Sequence, residues 1–312
     1  WRICEPAMGS AAFLNEGINQ VAELYMHYAQ KVPDAKALTQ TEYRHELQRV
    51  RMFLADRNIY GVDLNPVAVE LAEVSLWLNA MSDDRYVPWF GLQLACGNSL
   101  IGCRREAYWR KNLVGKAFKT ALPHVVGNRP LQEGEIWHFL VPNTGMSFYA
   151  EPTVKSLEKE AFKKFSAWRE RFTSQLTEAE LDELEKTSQL ADKLWWRWAK
   201  SLAKLNDQTT DDYPIYGYEP EGKGKLAYAQ KNSLVEKIRY GDGSFGSGEY
   251  DRLKLAMDYW CSLWFWPLHQ ADLLPKREDF IKQMQAVLNG VKLETGETLQ
   301  TESFQLTNGN AQ

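Results

Sequence analysis

The feature that most constrains the fold is an alternation in the first hundred residues between short apolar runs and stretches with helical periodicity. The runs "WRIC", "IYGVD" and "LQLAC" read as strands, each followed by turn residues. Between the first two lie a helix from about Ala11 to Gln30, with Phe13, Ile18, Val21 and Leu24 on one stripe, and a second amphipathic stretch, "TEYRHELQRVRMFLADR". After the second run, Asn65 is an N-cap with Pro66 at the first helical position, and Val67, Leu71, Val74 and Leu78 recur at helical spacing. Strands joined by helical crossovers form parallel sheets, so the predicted class is α/β.

From about Gly115 the pattern changes. "LPHVVGNRPLQEGEIWHFLVPNTGM" is rich in turn residues around one strand-like core, "IWHFLV". Glu151 to Leu205 interleaves charge with Leu, Phe and Trp and predicts two long helices in an antiparallel pair, the second capped by Thr177 with Glu180 in a capping box. "NDQTTDDYPIYGYEPEGKGK" reads as a loop or disordered link, "YGDGSFGSG" as a flexible one, and the residues from Lys292 as a frayed end. Two further helices are expected between them. The predicted organisation is a partial nucleotide-binding core over 1–112 and a mainly helical module over 113–312, with the charged helical pair at about 151–205.

Composition narrows the classes. The 312 residues are 44% hydrophobic, which is ample for a packed core, and no apolar run reaches the roughly 18 to 20 residues of a membrane span. The formal charge of −4 removes the whole-domain basic signature of a nucleic-acid binder. Cys4, Cys96, Cys103 and Cys261 have neither CxxC spacing nor paired histidines, so the sequence offers no zinc site and no disulfide framework, and a reducing cytoplasm fits. No metal ligand is assigned. His124 and His138 read as structural. The Trp-rich stretches "KLWWRWAK" and "YWCSLWFW" read as core, the alternative being stacking platforms for bases.

Chemistry concentrates where the three strands end. In an open parallel sheet, ligands sit at the carboxyl edge. "EPAMGSAAFL" follows the first strand, "VDLNP" closes the second and "CGNSL" the third. Gly9 allows close backbone approach to a ligand, and the following helix aims free N–H groups at it. Asp63 suits the two hydroxyls of a ribose, and Asn98 offers a donor and an acceptor to an adenine edge. A pyrophosphate is disfavoured, because its loop needs G-x-G-x-x-G and this one has a single glycine. Asp63 also follows Gly9 by 54 residues, where the dinucleotide fingerprint places its acid about 20 on. With no phosphate loop elsewhere, an adenosyl ligand without phosphates remains.

"EPAMGSAAFL", "IYGVDLNPVAVELAEVSLWL" and "CGNSLIG" resemble, in order, motifs I, II and III of the N6-adenine DNA methyltransferases. The flavour is similar to the large enzymes of type IIG restriction-modification and of phage-defence systems such as BREX and DISARM. The resemblance covers about the first 105 residues. It implies a Rossmann-like S-adenosylmethionine-dependent core in which Glu5, Ala7 and Gly9 line the methionine and ribose. Asp63 would hold the ribose hydroxyls, Leu64 would pack on the adenine, and Asn98 with Ser99 would meet its edge. Glu5 replaces the family's usual Asp, and Ala11 its second Gly. The family's catalytic Asn-Pro-Pro-aromatic motif has no counterpart, since the chain contains no Pro-Pro.

The resulting expectation is the S-adenosyl-L-methionine-binding part of a site-specific adenine-N6 DNA methyltransferase, a segment of a longer polypeptide whose catalytic motif lies beyond Gln312. No catalytic residue is assigned here, and this segment alone should not methylate DNA. In the intact enzyme a flipped adenine would take the methyl group directly. The expected partners are DNA and subunits of a restriction or defence complex. Two alternatives stand beside this: a non-catalytic scaffold with a vestigial pocket, and methylation of a different acceptor such as RNA, protein or a small molecule.

Overall fold

A computed structural model of the chain describes residues 1–81, 87–149, 151–220, 226–241, 243 and 246–291. They form two compact units, one of residues 1–101 with 202–236 and the other of 102–201 with the residues from 237 onward. This boundary differs from the one expected at residue 112, and 202–236 belong to the first unit, not to the helical module.

The first unit contains β1 (Ile3–Glu5), α1 (Ala12–Ala29), α2 (Gln40–Arg57), β2 (Ile59–Asp63), α3 (Pro66–Ala80) and β3 (Leu94–Cys96). The strands are parallel in the order β1-β2-β3, with Glu5 opposite Gly61 and Asp63 opposite Cys96. Each helix start has a local cause. The Thr39 side chain and Glu42 cap α2 reciprocally, while Asn65 Oδ1 accepts from Val67 N at 3.0 Å with Pro66 at the first position of α3.

The buried helix faces differ from the stripes that periodicity suggested. Helix α1 buries Leu14, Ile18, Ala22 and Met26, leaving Phe13 and Leu24 exposed. In α3 the buried residues are Ala72, Leu76 and Ala80, whereas Val67, Leu71, Val74 and Leu78 stay exposed. Both helices carry two apolar stripes, and the smaller alanines let α3 approach α1 and α2 closely.

Gly61 sits at the middle of the central strand for a steric reason. A Cβ there would meet Met8 Sδ at 2.2 Å and the side chains of Leu14 and Leu94 at 3.3 Å. Met8 is 3% exposed and its N–H donates to Val62 O at 3.1 Å, so the missing side chain of Gly61 makes the seat that anchors the loop after β1. Gly61→Ala should therefore cost about 1 to 3 kcal/mol by overpacking, read from the urea midpoint. An unchanged midpoint would show that Met8 does not need this seat.

Of residues 206–225, expected as a loop or link, 206–209 end a long helix, Tyr213 and Ile215 join the core of the first unit, and 221–225 lie outside the described residues. An ionic seam holds this returning segment. Lys231 Nζ lies 2.9 Å from Asp211 Oδ1, with both side chains nearly inaccessible, and Arg57 donates to the Asp211 carbonyl. Trp89 Nε1 donates to Asn232 Oδ1 at 2.7 Å and Trp89 N to Asp56 Oδ1 at 3.3 Å. Burial pushes the Asp56 carboxyl up to about 6 against the opposing pull of Lys231.

A carboxyl raised in the folded state binds its proton more tightly there than in the unfolded chain. Stability of the first unit should thus rise as pH falls from about 6 towards the ordinary aspartate range, by on the order of 3 kcal/mol. Asp56→Asn should flatten that slope in melts at stepped pH, and a slope that survives the substitution would assign it elsewhere.

The second unit is less purely helical than expected. Strands β4 (Glu106–Trp109), β5 (His124–Val125) and β6 (Glu135–Trp137) form an antiparallel sheet in the order β5-β4-β6. The expected strand "IWHFLV" ends at Trp137, where a short 3-10 turn, His138–Leu140, takes over. Then come α4 (Pro152–Leu157), α5 (Lys159–Phe172), α6 (Glu178–Thr209), α7 (Tyr228–Tyr240), α8 (Glu249–Ser262) and α9 (Arg277–Asn289), with α6 and α7 carrying the chain between units. Thr177 and Glu180 form the capping box of α6. Helix α5 packs against the 3-10 segment Leu268–Leu273 and does not pair closely along α6.

The buried carboxylate of Glu135 ties this sheet together. It accepts from Arg129 twice, from Gln132 N at 2.7 Å and pairs with His124 Nε2 at 2.7 Å, which holds it at about 2. His124 also stacks on Trp109, and His138 Nε2 accepts from Arg104 N at 3.0 Å. Trp195 and Trp196 flank Arg105, Trp198 lies against Tyr250, and Trp260 Nε1 donates to Val141 O. These aromatics are part of the packing. The stretch 240–248 lies partly, and the tail from Lys292 wholly, outside the described residues.

Candidate functional site

The parallel register brings Glu5, Asp63 and Cys96 to one edge of the sheet, so the segments that follow them are neighbours. Asp63 joins two of them. Its Oδ2 accepts from Gly9 N at 2.9 Å, and its Oδ1 from Asn65 N at 2.9 Å. Those backbone donors hold the carboxyl below the usual aspartate range, so it is ionised at neutral pH. Each oxygen has further acceptor capacity, enough for two hydroxyl donors. The third segment joins through Gly97 N, which donates to Asp63 O at 2.9 Å.

The loop conformation explains its glycine count. Gly9 has φ +53° with open space where a Cβ would project, and Ala11 has φ +64° with its methyl group fully buried. Two left-handed residues turn the chain from β1 into α1, and Ala11 N donates to Met8 O at 2.8 Å within that turn. Ala11 stands where the resembled motif has its second glycine. The conformation is kept without the glycine, at a backbone cost of about 1 kcal/mol.

Glu5, expected to line the cofactor, ends β1 at the same edge. Its Oε2 is buried without a hydrogen-bond partner, and burial pushes its carboxyl up. A buried oxygen in that state is stabilised by any donor that reaches it. Asn98 is exposed, and its Oδ1 accepts from Leu100 N at 2.9 Å, which closes a turn and leaves the amide N–H₂ group available. Ala7, Ser99 and Leu64 are also exposed. Leu64, Phe13 and Leu100, all 68% exposed or more, surround the strand ends with uncovered apolar surface. The geometry thus joins Gly9 to Asp63 and puts Glu5 at the same edge of the sheet, with Leu64, Asn98 and Ser99 on the segments that follow the strands.

A further open groove of about 870 Å³ in the same unit lies along the second half of α1, far from its N-terminus, lined by Leu24, Tyr25, Tyr28, Lys36 and Tyr216. Tyr25 OH donates to Tyr216 O and Tyr216 OH to Lys36 O, so those tyrosines fasten the returning segment. Sequence reasoning missed the orphaned Glu5 oxygen and the Met8 seat, which only tertiary packing creates. The left-handed Ala11 had a signal, since it replaces a motif glycine.

Over 110 residues, or 32% of this chain, the sequence is 24% identical to a Methanocaldococcus jannaschii protein named "Putative type II restriction enzyme and methyltransferase". That stretch covers 9% of the relative's own length. No family model and no solved structure matches the chain. Among the described residues no helix is long and apolar enough to cross a membrane.

Proposed function

We infer that this chain carries the S-adenosyl-L-methionine-binding part of an adenine-N6 DNA methyltransferase of a restriction-modification or phage-defence system, built on a partial Rossmann-like core. The observation that carries this reading is the joined edge of the sheet: the ionised Asp63 bonded to Gly9, on the edge where β1 ends at Glu5 with its unpartnered oxygen. The restriction and methyltransferase name of the relative supports the methyl-transfer part.

The residues present fit that cofactor. Asp63 accepts from the two ribose hydroxyls while keeping its backbone donors, and the Glu5 oxygen takes a donor from the cationic methionine end. The open space over Gly9 admits the ligand against the backbone. Leu64 covers a face of the adenine, and Asn98 with Ser99 meets its edge. When bound, S-adenosylmethionine supplies a sulfonium methyl group. This chain holds and orients that donor, and it contains no Pro-Pro-aromatic motif to hold an adenine acceptor.

Methyl transfer to mixed-sequence DNA tests the assignment. This chain alone should give no transfer, while the complete protein should yield N6-methyladenine on hydrolysis of the DNA. Methylcytosine, or label found in protein or RNA, would overturn the adenine reading. Failure of Asp63→Ala to alter cofactor binding would instead favour the scaffold reading.

A further inference from the structure

Cys103 and Cys261 are 158 residues apart in sequence, yet within the second unit their Sγ atoms lie 3.9 Å apart. Cys103 is on the segment leading into β4, and Cys261 is near the end of α8. Both are free thiols, partly exposed at the margin of the core, so a small oxidant can reach them. Cys4 and Cys96 are also free but exposed. The site is distinct from the sheet edge described above and does not depend on the methyltransferase reading.

We propose that Cys103 and Cys261 form an oxidation site that closes reversibly into a disulfide, with a hydroperoxide as its oxidant. The separation is that of two thiols in van der Waals contact, and closing it to the roughly 2 Å of an S–S bond is the movement that oxidation requires. The pair is already polarised. The two sulfurs share a hydrogen bond that lowers the Cys261 thiol and raises that of Cys103, whose sulfur also lies 3.8 Å from the Met257 carbonyl; Lys254 adds to the lowering at Cys261 while Asp258 opposes it. Cys261 is therefore the nucleophile and Cys103 the resolving thiol.

The chemistry balances with hydrogen peroxide alone. The Cys261 thiolate attacks one peroxide oxygen, the O–O bond breaks and hydroxide leaves, giving a sulfenic acid. The Cys103 sulfur then attacks the Cys261 sulfur, the S–O bond breaks, and the departing hydroxide takes the Cys103 proton as water. In total, two thiols and one peroxide become one disulfide and two waters. The product covalently ties the segment before β4 to α8, and a dithiol reductant opens it.

The test uses the reduced chain, treated with stoichiometric hydrogen peroxide and then denatured with an alkylating agent. The proposal expects a mass loss of about 2 Da, two thiols remaining of the original four, and a peptide containing both Cys103 and Cys261 that dithiothreitol separates. The oxidised chain should melt several degrees higher than the reduced one. In Cys103→Ser, Cys261 should instead stop at a sulfenic acid that dimedone traps. Four surviving thiols, or oxygen addition at Cys4 or Cys96 ahead of any linkage, would overturn the proposal. Since the wild-type mass result decides the matter, it stands even where a serine variant folds poorly.

Discussion

Lys231→Ala should lower the stability of this chain by about 3 to 5 kcal/mol, the largest effect expected of any substitution discussed here. Lys231 is 2% exposed, and its ammonium meets Asp211 at 2.9 Å with the Trp89 ring beneath it at 5.6 Å. Truncation leaves the Asp211 carboxylate buried without its counter-charge. It also removes the cation that opposes the desolvation of Asp56. The seam holds residues 202–236 to the first unit, so the loss should appear as early release of that segment in hydrogen exchange as well as a lower urea midpoint. Removing both charges, as Lys231→Met with Asp211→Asn, should recover much of the loss. A single alanine that costs under about 1 kcal/mol would mean that the pair is not a buried one.

The second large effect concerns binding. Asp63→Ala should weaken S-adenosylmethionine binding by about tenfold to a hundredfold, because it removes the acceptor for the ribose and, with it, the bonds that fix Gly9 and Asn65. Asp63→Asn keeps one acceptor oxygen and should fall between the two. Both variants should keep a wild-type far-ultraviolet spectrum, since the carboxylate lies outside the hydrophobic core. Equal affinity in wild type and alanine variant would remove Asp63 from the site.

Much of this arrangement was legible in the sequence because it rests on local rules. The strand ends at Asp63 and Cys96, and one at Cys4 that β1 overruns by a single residue to Glu5, follow from apolar runs closed by turn residues, and the Asn65–Pro66 helix start is a capping pattern. The buried face of α1 was not legible, since Phe13 and Leu14 are adjacent and periodicity alone cannot choose between them. Tyr213 and Ile215 are two apolar residues in a polar stretch, too few to mark a core segment. Of the second sheet only β6 was anticipated, through "IWHFLV"; β4 and β5 have four residues at most, too short for alternation to show. The contacts of Lys231 with Asp211 and of Cys103 with Cys261 join distant positions, and no local pattern encodes them.

The central claim is that the loop after β1 binds an adenosyl ligand that carries no phosphate. Isothermal calorimetry of the folded wild-type chain against S-adenosylmethionine, S-adenosylhomocysteine, NAD and ATP tests it most directly. Saturable heat is expected with the two adenosyl compounds and none with NAD or ATP, because a loop with Gly9 alone cannot cradle a pyrophosphate. Absence of heat with S-adenosylmethionine, or binding of NAD at equal affinity, would contradict it.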